Sequence, residues 1–262
     1  MQEDGSEDDL SYIKLINYGD KVVTNRMHGY LRMRIAQFLS VIHPTPHVIY
    51  LSRHGQSEYN VLGKLGGNPP LSPAGQEYAR RPAQPLQLSR WHATRAAALS
   101  LSLPDAASVG SRSGSPRVYR NLDEIFAGEY EGMTYEEIKK IAPSEATLRS
   151  MDKIGYRYPR GESYFDILAR LDPLVHELES YHEPLLLVSH QAVLRLLYSY
   201  LMGKPRHQAP KVEIPLHTVI RITYDGWNPP YEERFVLGPT AKGIRNDGTI
   251  DEGVLEDGQT NL

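Results

Sequence analysis

Val48-Ile-Tyr-Leu-Ser-Arg-His-Gly-Gln-Ser-Glu-Tyr-Asn60 decides how the rest of the chain is read. Its first residues are apolar and β-prone, and they run straight into Arg53-His54-Gly55 and a polar turn. That is the pattern of a short buried strand ending in a cation, an imidazole and a glycine. In an open α/β sheet the carboxyl ends of the strands face the crevice where ligands bind. An arginine there offers a fixed fork of donors to phosphate oxygens. A neutral imidazole nitrogen beside it can attack phosphorus near neutral pH. Taken alone, Arg-His-Gly also fits a strand end with a surface histidine.

A second stretch weighs against that plainer reading. Leu185-Leu-Leu-Val-Ser-His190-Gln-Ala repeats the design: an apolar run, a histidine, then a helical segment. Two strands of one parallel sheet, each ending in histidine at the same edge, would bring His54 and His190 together.

Composition narrows the class. With 262 residues the chain can form one α/β domain with extensions or two small domains. A formal net charge of -3 carries no signature of nucleic-acid binding. No apolar run spans a bilayer, and the acidic opening Gln2 to Asp9 is no signal peptide. There is no cysteine, which excludes disulfides and thiolate metal sites. The 10 histidines show no ligand spacing. The expectation is a cytoplasmic enzyme that needs no metal or cofactor and has no nucleic-acid or membrane partner.

Along the chain, residues 1–10 are acidic and expected to be disordered. Between Tyr30 and Ser40, Leu31, Ile35, Phe38 and Leu39 recur at helical spacing. Gly63, Gly66, Gly67, Asn68, Pro69 and Pro70 form a polar loop. A helix then starts with Ser72 as N-cap and Pro73 in its first turn. Thr134 and Glu137 form a capping box for a helix ending near Ile141, with Met133 and Ile138 read as core. A polar loop carrying Arg149, Lys153, Arg157 and Arg160 follows, and its plain reading is a solvated basic loop. Ser163 to Tyr181 reads as an amphipathic helix facing the core with Ile167, Leu168, Leu171, Leu174, Val175 and Leu178, interrupted by Pro173. Strands are expected at Leu185–Ser189, His217–Thr223 and Glu233–Leu237, and a flexible tail over 239–262.

These residues carry a family resemblance. The matching text is Arg53-His54-Gly55-Gln-Ser-Glu-Tyr-Asn60, Leu71-Ser-Pro-Ala-Gly75, Asp123-Glu-Ile-Phe-Ala-Gly128, Met133-Thr-Tyr-Glu-Glu-Ile138, Arg157-Tyr-Pro-Arg-Gly-Glu-Ser-Tyr164, Ser189-His-Gln-Ala-Val-Leu-Arg195 and Pro215-Leu-His-Thr-Val219. It resembles the histidine phosphatase superfamily. Within it, the Met-Thr-Tyr and Arg-Tyr-Pro runs are similar to the bisphosphatase half of the 6-phosphofructo-2-kinase/fructose-2,6-bisphosphatases. The resemblance implies an α/β phosphoglycerate mutase-like fold, with a mostly parallel central sheet and helices on both faces, over residues 47–238. It implies that residues 11–46 are a remnant of the end of a kinase domain. Kinase activity is not expected, since no Gly-x-x-x-x-Gly-Lys-Ser/Thr loop is present.

The implied activity is hydrolysis of the 2-phosphate of fructose 2,6-bisphosphate through a phosphohistidine. By resemblance His54 is the nucleophile, Arg53, His190 and Asn60 bind the transferring group, and Glu124 is the general acid. Gly66, Tyr135, Arg149, Lys153, Tyr164, Gln191 and Arg195 are then expected to bind the substrate, a phosphorylated sugar, and the family allows a homodimer. For His217 a packed strand residue is as good a reading as a site residue.

One block departs from the family. Residues 87–120 are rich in Ser, Ala, Arg and Gly. Relatives carry there a strand and a Thr-Ser-x-x-x-Arg-Thr-x-x-Thr-Ala motif whose arginine is a second phosphate ligand, and the motif is absent here. A local reading-frame or splice error with later restoration explains this, and so does divergence. Arg95 and Arg112 are candidate stand-ins. The expectation is local disorder and no strand in this block. Two alternatives to the implied activity follow from it: a broader sugar-phosphate phosphatase, or a weak or inactive pseudophosphatase.

Overall fold

The computed structural model describes residues 9–17, 21–42, 45–80, 98–99, 117–181 and 184–237. Of residues 1–10, expected to be disordered, 1–8 lie outside them, while Asp9 and Leu10 are described and Asp9 pairs with Arg26 at 2.7 Å. The expected tail, Arg95, Arg112 and most of the altered block also lie outside.

Strand β1 (Tyr12–Ile16) and strand β2 (Lys21–Asn25) form a separate antiparallel hairpin, followed by helix α1 (Tyr30–Leu39). The helix forms where the spacing predicts it, but Leu31 and Ile35 point to solvent. Its contacts with the body are polar and aromatic: an Arg34–Asp172 ion pair, and Phe38 edge-on to His176 at 5.9 Å.

The body is built on a five-stranded sheet. In chain order it has strand β3 (His47–Arg53), helices α2 (Glu58–Leu62) and α3 (Pro73–Arg80), and the short strand β4 (Ala98–Leu99). Helices α4 (Tyr135–Ile141), α5 (Pro143–Met151) and α6 (Tyr164–Glu179), strand β5 (Leu185–Ser189) and helix α7 (Gln191–Leu201) follow. Strands β6 (Thr218–Tyr224) and β7 (Tyr231–Val236) complete it, in the order β4-β5-β3-β6-β7. The β4-β5-β3 part is parallel, but β6 and β7 run antiparallel. This corrects the mostly parallel sheet to a mixed one: β6 pairs with β3 and β7 with β6, both in the opposite sense. The absence of a strand in the altered block is also corrected, because Ala98 and Leu99 pair beside Leu186 and Leu187.

Period-two alternation sets the two faces. Ile49, Leu51, Leu185, Leu187, Ile220 and Ile222 join the buried side chains of α6 and α7 in the main core. Tyr50, Leu186 and Val219 face the opposite way, and on that side Tyr78 of α3 meets Ser52 hydroxyl to hydroxyl at 2.7 Å. On α6 the expected stripe is correct: Ile167, Leu171, Leu174 and Leu178 are buried, and Pro173 lies inside the helix. The capping boxes at Thr134 and Ser163 both form. Arg149, expected on a loop, sits instead in the last turn of α5, which opens with Pro143 in its first turn.

Candidate active site

Register brings the two histidines together. Arg53 pairs with Ser189 across β3 and β5, so His54 and His190 leave adjacent strand ends in step. The His54 N–H donates to the Ser189 carbonyl at 3.1 Å, and the two imidazoles lie 4.7 Å apart with planes at 64°. His54 Nδ1 is 2.7 Å from the Gly55 carbonyl oxygen. A carbonyl only accepts, so Nδ1 carries the proton and Nε2 keeps the lone pair. Burial, then His190 and Arg53, push the His54 pKa down to about 3. Burial, Arg53 and Arg170 push His190 down to about 3 as well. Both rings are neutral near pH 7, and the His54 Nε2 lone pair is unprotonated.

Two glycines let the loop after His54 close tightly. A Cβ on Gly55 would meet the Gly75 carbonyl oxygen at 2.3 Å, and one on Gly75 would meet the Gln56 carbonyl oxygen at 2.1 Å. The start of α3 is thereby pinned to the loop after His54. The Ser72 N–H donates to the Gln56 carbonyl at 2.8 Å, and Ser72 caps the Gly75 N–H at 3.2 Å, the expected N-cap.

Arg53 donates Nη1 to the Ile214 carbonyl at 3.2 Å, while its Nε is buried and has no hydrogen-bond partner. Burial lowers its pKa to about 10, Glu124 offsetting and Arg195 adding to the effect. An unsatisfied buried donor costs about 1–3 kcal/mol, and an anionic oxygen is the acceptor it lacks. Glu124 lies on the loop beside α7, its Oε1 accepting from the N–H groups of Ile125 (2.8 Å) and Ala192 (3.3 Å).

A cleft of about 1650 Å³ opens from this point, with Arg53, Tyr135, Arg149, Lys153, Gln191 and Arg195 among its walls. Arg149 donates to the hydroxyls of Tyr158 (2.9 Å) and Tyr135 (2.8 Å) and stacks 4.4 Å from the Tyr135 ring centre. Arg195 donates to the Val212 carbonyl at 2.8 Å and to the Tyr164 hydroxyl at 3.4 Å. Burial, Arg195 and Arg149 lower the Lys153 pKa to about 7. The cleft walls also carry Glu136, Glu145, Asp152 and Glu213, but the groups that act on Lys153 are the cations Arg195 and Arg149, and crowded cations of this kind favour an anion.

A family profile described as "Histidine phosphatase superfamily (branch 1)" matches residues 49–234. The chain belongs to the histidine phosphatase superfamily. It is 43% identical over 87% of its length to an Arabidopsis thaliana 6-phosphofructo-2-kinase/fructose-2,6-bisphosphatase. A Saccharomyces cerevisiae fructose-2,6-bisphosphatase is 37% identical over 97% of the chain. The chain spans only 31% and 56% of those two relatives. Among solved structures, a mycobacterial glucosyl-3-phosphoglycerate phosphatase complexed with VO3 superposes with a TM-score of 0.59 at 25% identity. It covers 74% of this chain and 99% of that one. The Shigella flexneri alpha-ribazole phosphatase (TM-score 0.59, 22% identity, 76% of this chain and 100% of that one) shares the fold.

Of the histidine phosphatase residues expected from sequence, six line the cleft. His54 and His190 adjoin it as chain neighbours of Arg53 and Gln191, Glu124 reaches the Ala192 N–H beside Gln191, and Tyr164 meets Arg195. Asn60 and Gly66 do not line it. Asn60 Oδ1 is taken up in the capping box of α2, accepting from Ser57 N–H and Oγ at 3.0 Å, which leaves its NH2 for a ligand. Gly66 (φ +60) turns where a side chain would strike the Glu131 carboxylate. That carboxylate accepts from the N–H groups of Gly67 and Ala127 and ties the glycine loop to the Glu124 loop. His217 is buried, its Nε2 accepting from the Gln56 N–H at 3.3 Å, and it also lies in the cleft wall just before β6, so the geometry fits both of its readings. Sequence reasoning missed Glu131, Glu162 and Arg170, which touch the site only through backbone atoms of distant segments. Among the described residues no helix is long and apolar enough to cross a membrane.

Proposed function

We propose that this chain removes the 2-phosphate of fructose 2,6-bisphosphate, giving fructose 6-phosphate and inorganic phosphate. The observation that carries the reading is a neutral His54–His190 pair beside Arg53, whose buried Nε lacks an acceptor, opening on a second cationic cluster of Arg149, Lys153 and Arg195. One phosphate would sit at the histidines and the other at the cluster. His54 Nε2 attacks phosphorus in line, and the P–O bond to the sugar breaks. Glu124 gives its proton to the departing oxygen, then takes one from the water that hydrolyses the phosphohistidine. Arg53, His190 and the Asn60 NH2 stabilise the equatorial oxygens. Tyr135, Tyr164, Gln191 and Arg195 hold the sugar with Arg149 and Lys153 on its other phosphate. Residues 11–46 are read as a remnant of the end of a kinase domain. Rapid quench after mixing with substrate labelled in the 2-phosphate should yield an acid-labile, base-stable phosphoprotein that His54→Ala abolishes. Label retained in that variant would refute the assignment.

A further inference from the structure

The loop carrying Glu124 is neither helix nor strand; it runs between the 3-10 turns Arg120–Leu122 and Gly128–Tyr130. One side chain of α6 holds its backbone. The Arg170 guanidinium donates to the carbonyl oxygens of Asn121, Asp123 (2.5 Å) and Glu124 (3.2 Å), and its Nε donates to Glu162 Oε1 at 3.1 Å. The Asn121 amide returns a bond to the Arg170 carbonyl. Glu162 continues the grip on the far side of Glu124. Its Oε2 accepts from the Phe126 N–H at 2.9 Å, and its N–H donates to the Phe126 carbonyl at 2.8 Å. Arg170 projects from a helix anchored by buried Ile167 and Leu171, and its side chain is 20% exposed.

We propose that Arg170 is a positioning residue for the general acid. Its guanidinium fixes the Glu124 backbone, and so fixes where the Glu124 carboxyl meets the departing oxygen. The inference rests on reading Glu124 as that acid. A planar fork of five donors can serve three carbonyls and a carboxylate at once, whereas an ammonium has three donors on one point. An ion pair with Glu162 alone would leave the Asn121, Asp123 and Glu124 carbonyls to water. Here the same group satisfies all of them.

The test separates an acid's work from general integrity by leaving group. A sugar oxygen needs a proton to depart, whereas 2,4-dinitrophenolate does not. Arg170→Lys, Glu162→Gln and Glu124→Gln would be compared by the pre-steady-state rate of His54 phosphorylation from fructose 2,6-bisphosphate and from 2,4-dinitrophenyl phosphate. Since a misplacement near 1 Å can cost on the order of 10²-fold, Arg170→Lys should slow the sugar ester by roughly that factor and the aryl ester by less than about threefold. Glu162→Gln should show a smaller loss of the same selectivity, and it decides the matter if a thermal melt shows that Arg170→Lys does not fold. Equal slowing of both esters, or of neither, while Glu124→Gln remains selective for the sugar ester, overturns the positioning role and leaves the acid in place. Equal slowing of both esters by Glu124→Gln itself overturns the acid assignment beneath it.

Discussion

Lys153 offers the sharpest test of the two-phosphate reading, because burial beside Arg195 and Arg149 lowers its pKa to about 7. An ordinary lysine stays charged far above neutrality; this one titrates in the working range. The sign follows from which form binds an anion. With a pKa of about 7, roughly nine-tenths of the free protein carries the Lys153 ammonium at pH 6 and about one-tenth does at pH 8. If the ammonium holds the phosphate that is not transferred, KM for fructose 2,6-bisphosphate should rise about tenfold between those pH values, while kcat changes little. The substrate's own phosphates also titrate, so the assay needs a reference of equal charge. Lys153→Arg supplies it, because guanidinium stays protonated throughout. The ratio of wild-type to variant KM, measured from pH 6 to 8.5, isolates the lysine. For a monophosphate ester lacking the second group, the ratio should be flat. A flat ratio with the bisphosphate as well would refute both the placement of that phosphate and the titration.

Other consequences concern stability and turnover. His54 and His190 both have folded-state pKa values below the ordinary histidine value, so the unfolded chain binds more protons below pH 6.5. Stability is therefore full above that pH and is lost as pH falls toward the folded values, by up to about 1.4 kcal/mol per pH unit for each histidine. Urea titrations from pH 7.5 to 4.5 should show the slope, and a His54→Gln, His190→Gln double variant should flatten it. Gly128→Ala places a Cβ 2.0 Å from the Pro159 carbonyl oxygen at a φ of +58°. It should destabilise by more than about 1 kcal/mol, and an unchanged melting temperature would contradict the close approach of the two loops. Replacing the block around residues 87–120 with one carrying Thr-Ser-x-x-x-Arg-Thr-x-x-Thr-Ala should raise kcat by roughly two to three orders of magnitude, if its arginine contributes like an oxyanion-hole donor. Equal turnover of the two chains would show that another group already supplies that charge.

How much of this was legible differed by the range of the interaction. The Arg53-His54 strand, the second histidine strand, the caps at Ser72 and Thr134 and the buried stripe of α6 were legible because each is written within a few consecutive residues. Helix α5 was passed over because its residues are polar and its face toward the cleft is not apolar, although Pro143 in its first turn was the available signal. The helical spacing of α1 was real, yet Leu31 and Ile35 are exposed, since periodicity reports a face and not what covers it. Arg170, Glu162 and Glu131 left no local trace. Arg170 serves carbonyls 46 to 49 residues away, and a carbonyl has no side-chain identity to read.

The direction of β6 escaped sequence reasoning and also explains the place of His217. A strand parallel to β3 would have entered at the edge opposite His54, and a histidine preceding it would have lain far from the site. Strand β6 is antiparallel and pairs Val219 with Ser52, so its first residues arrive at the carboxyl end of β3. His217, one residue before the strand begins, comes to that edge with φ +57 and accepts the Gln56 N–H. The loop after His54 is therefore held by three strand ends: the Ser189 carbonyl of β5 takes the His54 N–H, Arg53 closes β3, and His217 takes the Gln56 N–H just before β6. Parallel pairing brings two histidines together, and antiparallel pairing brings a third to fix the loop between them. A mixed sheet is the arrangement that places all three at one edge.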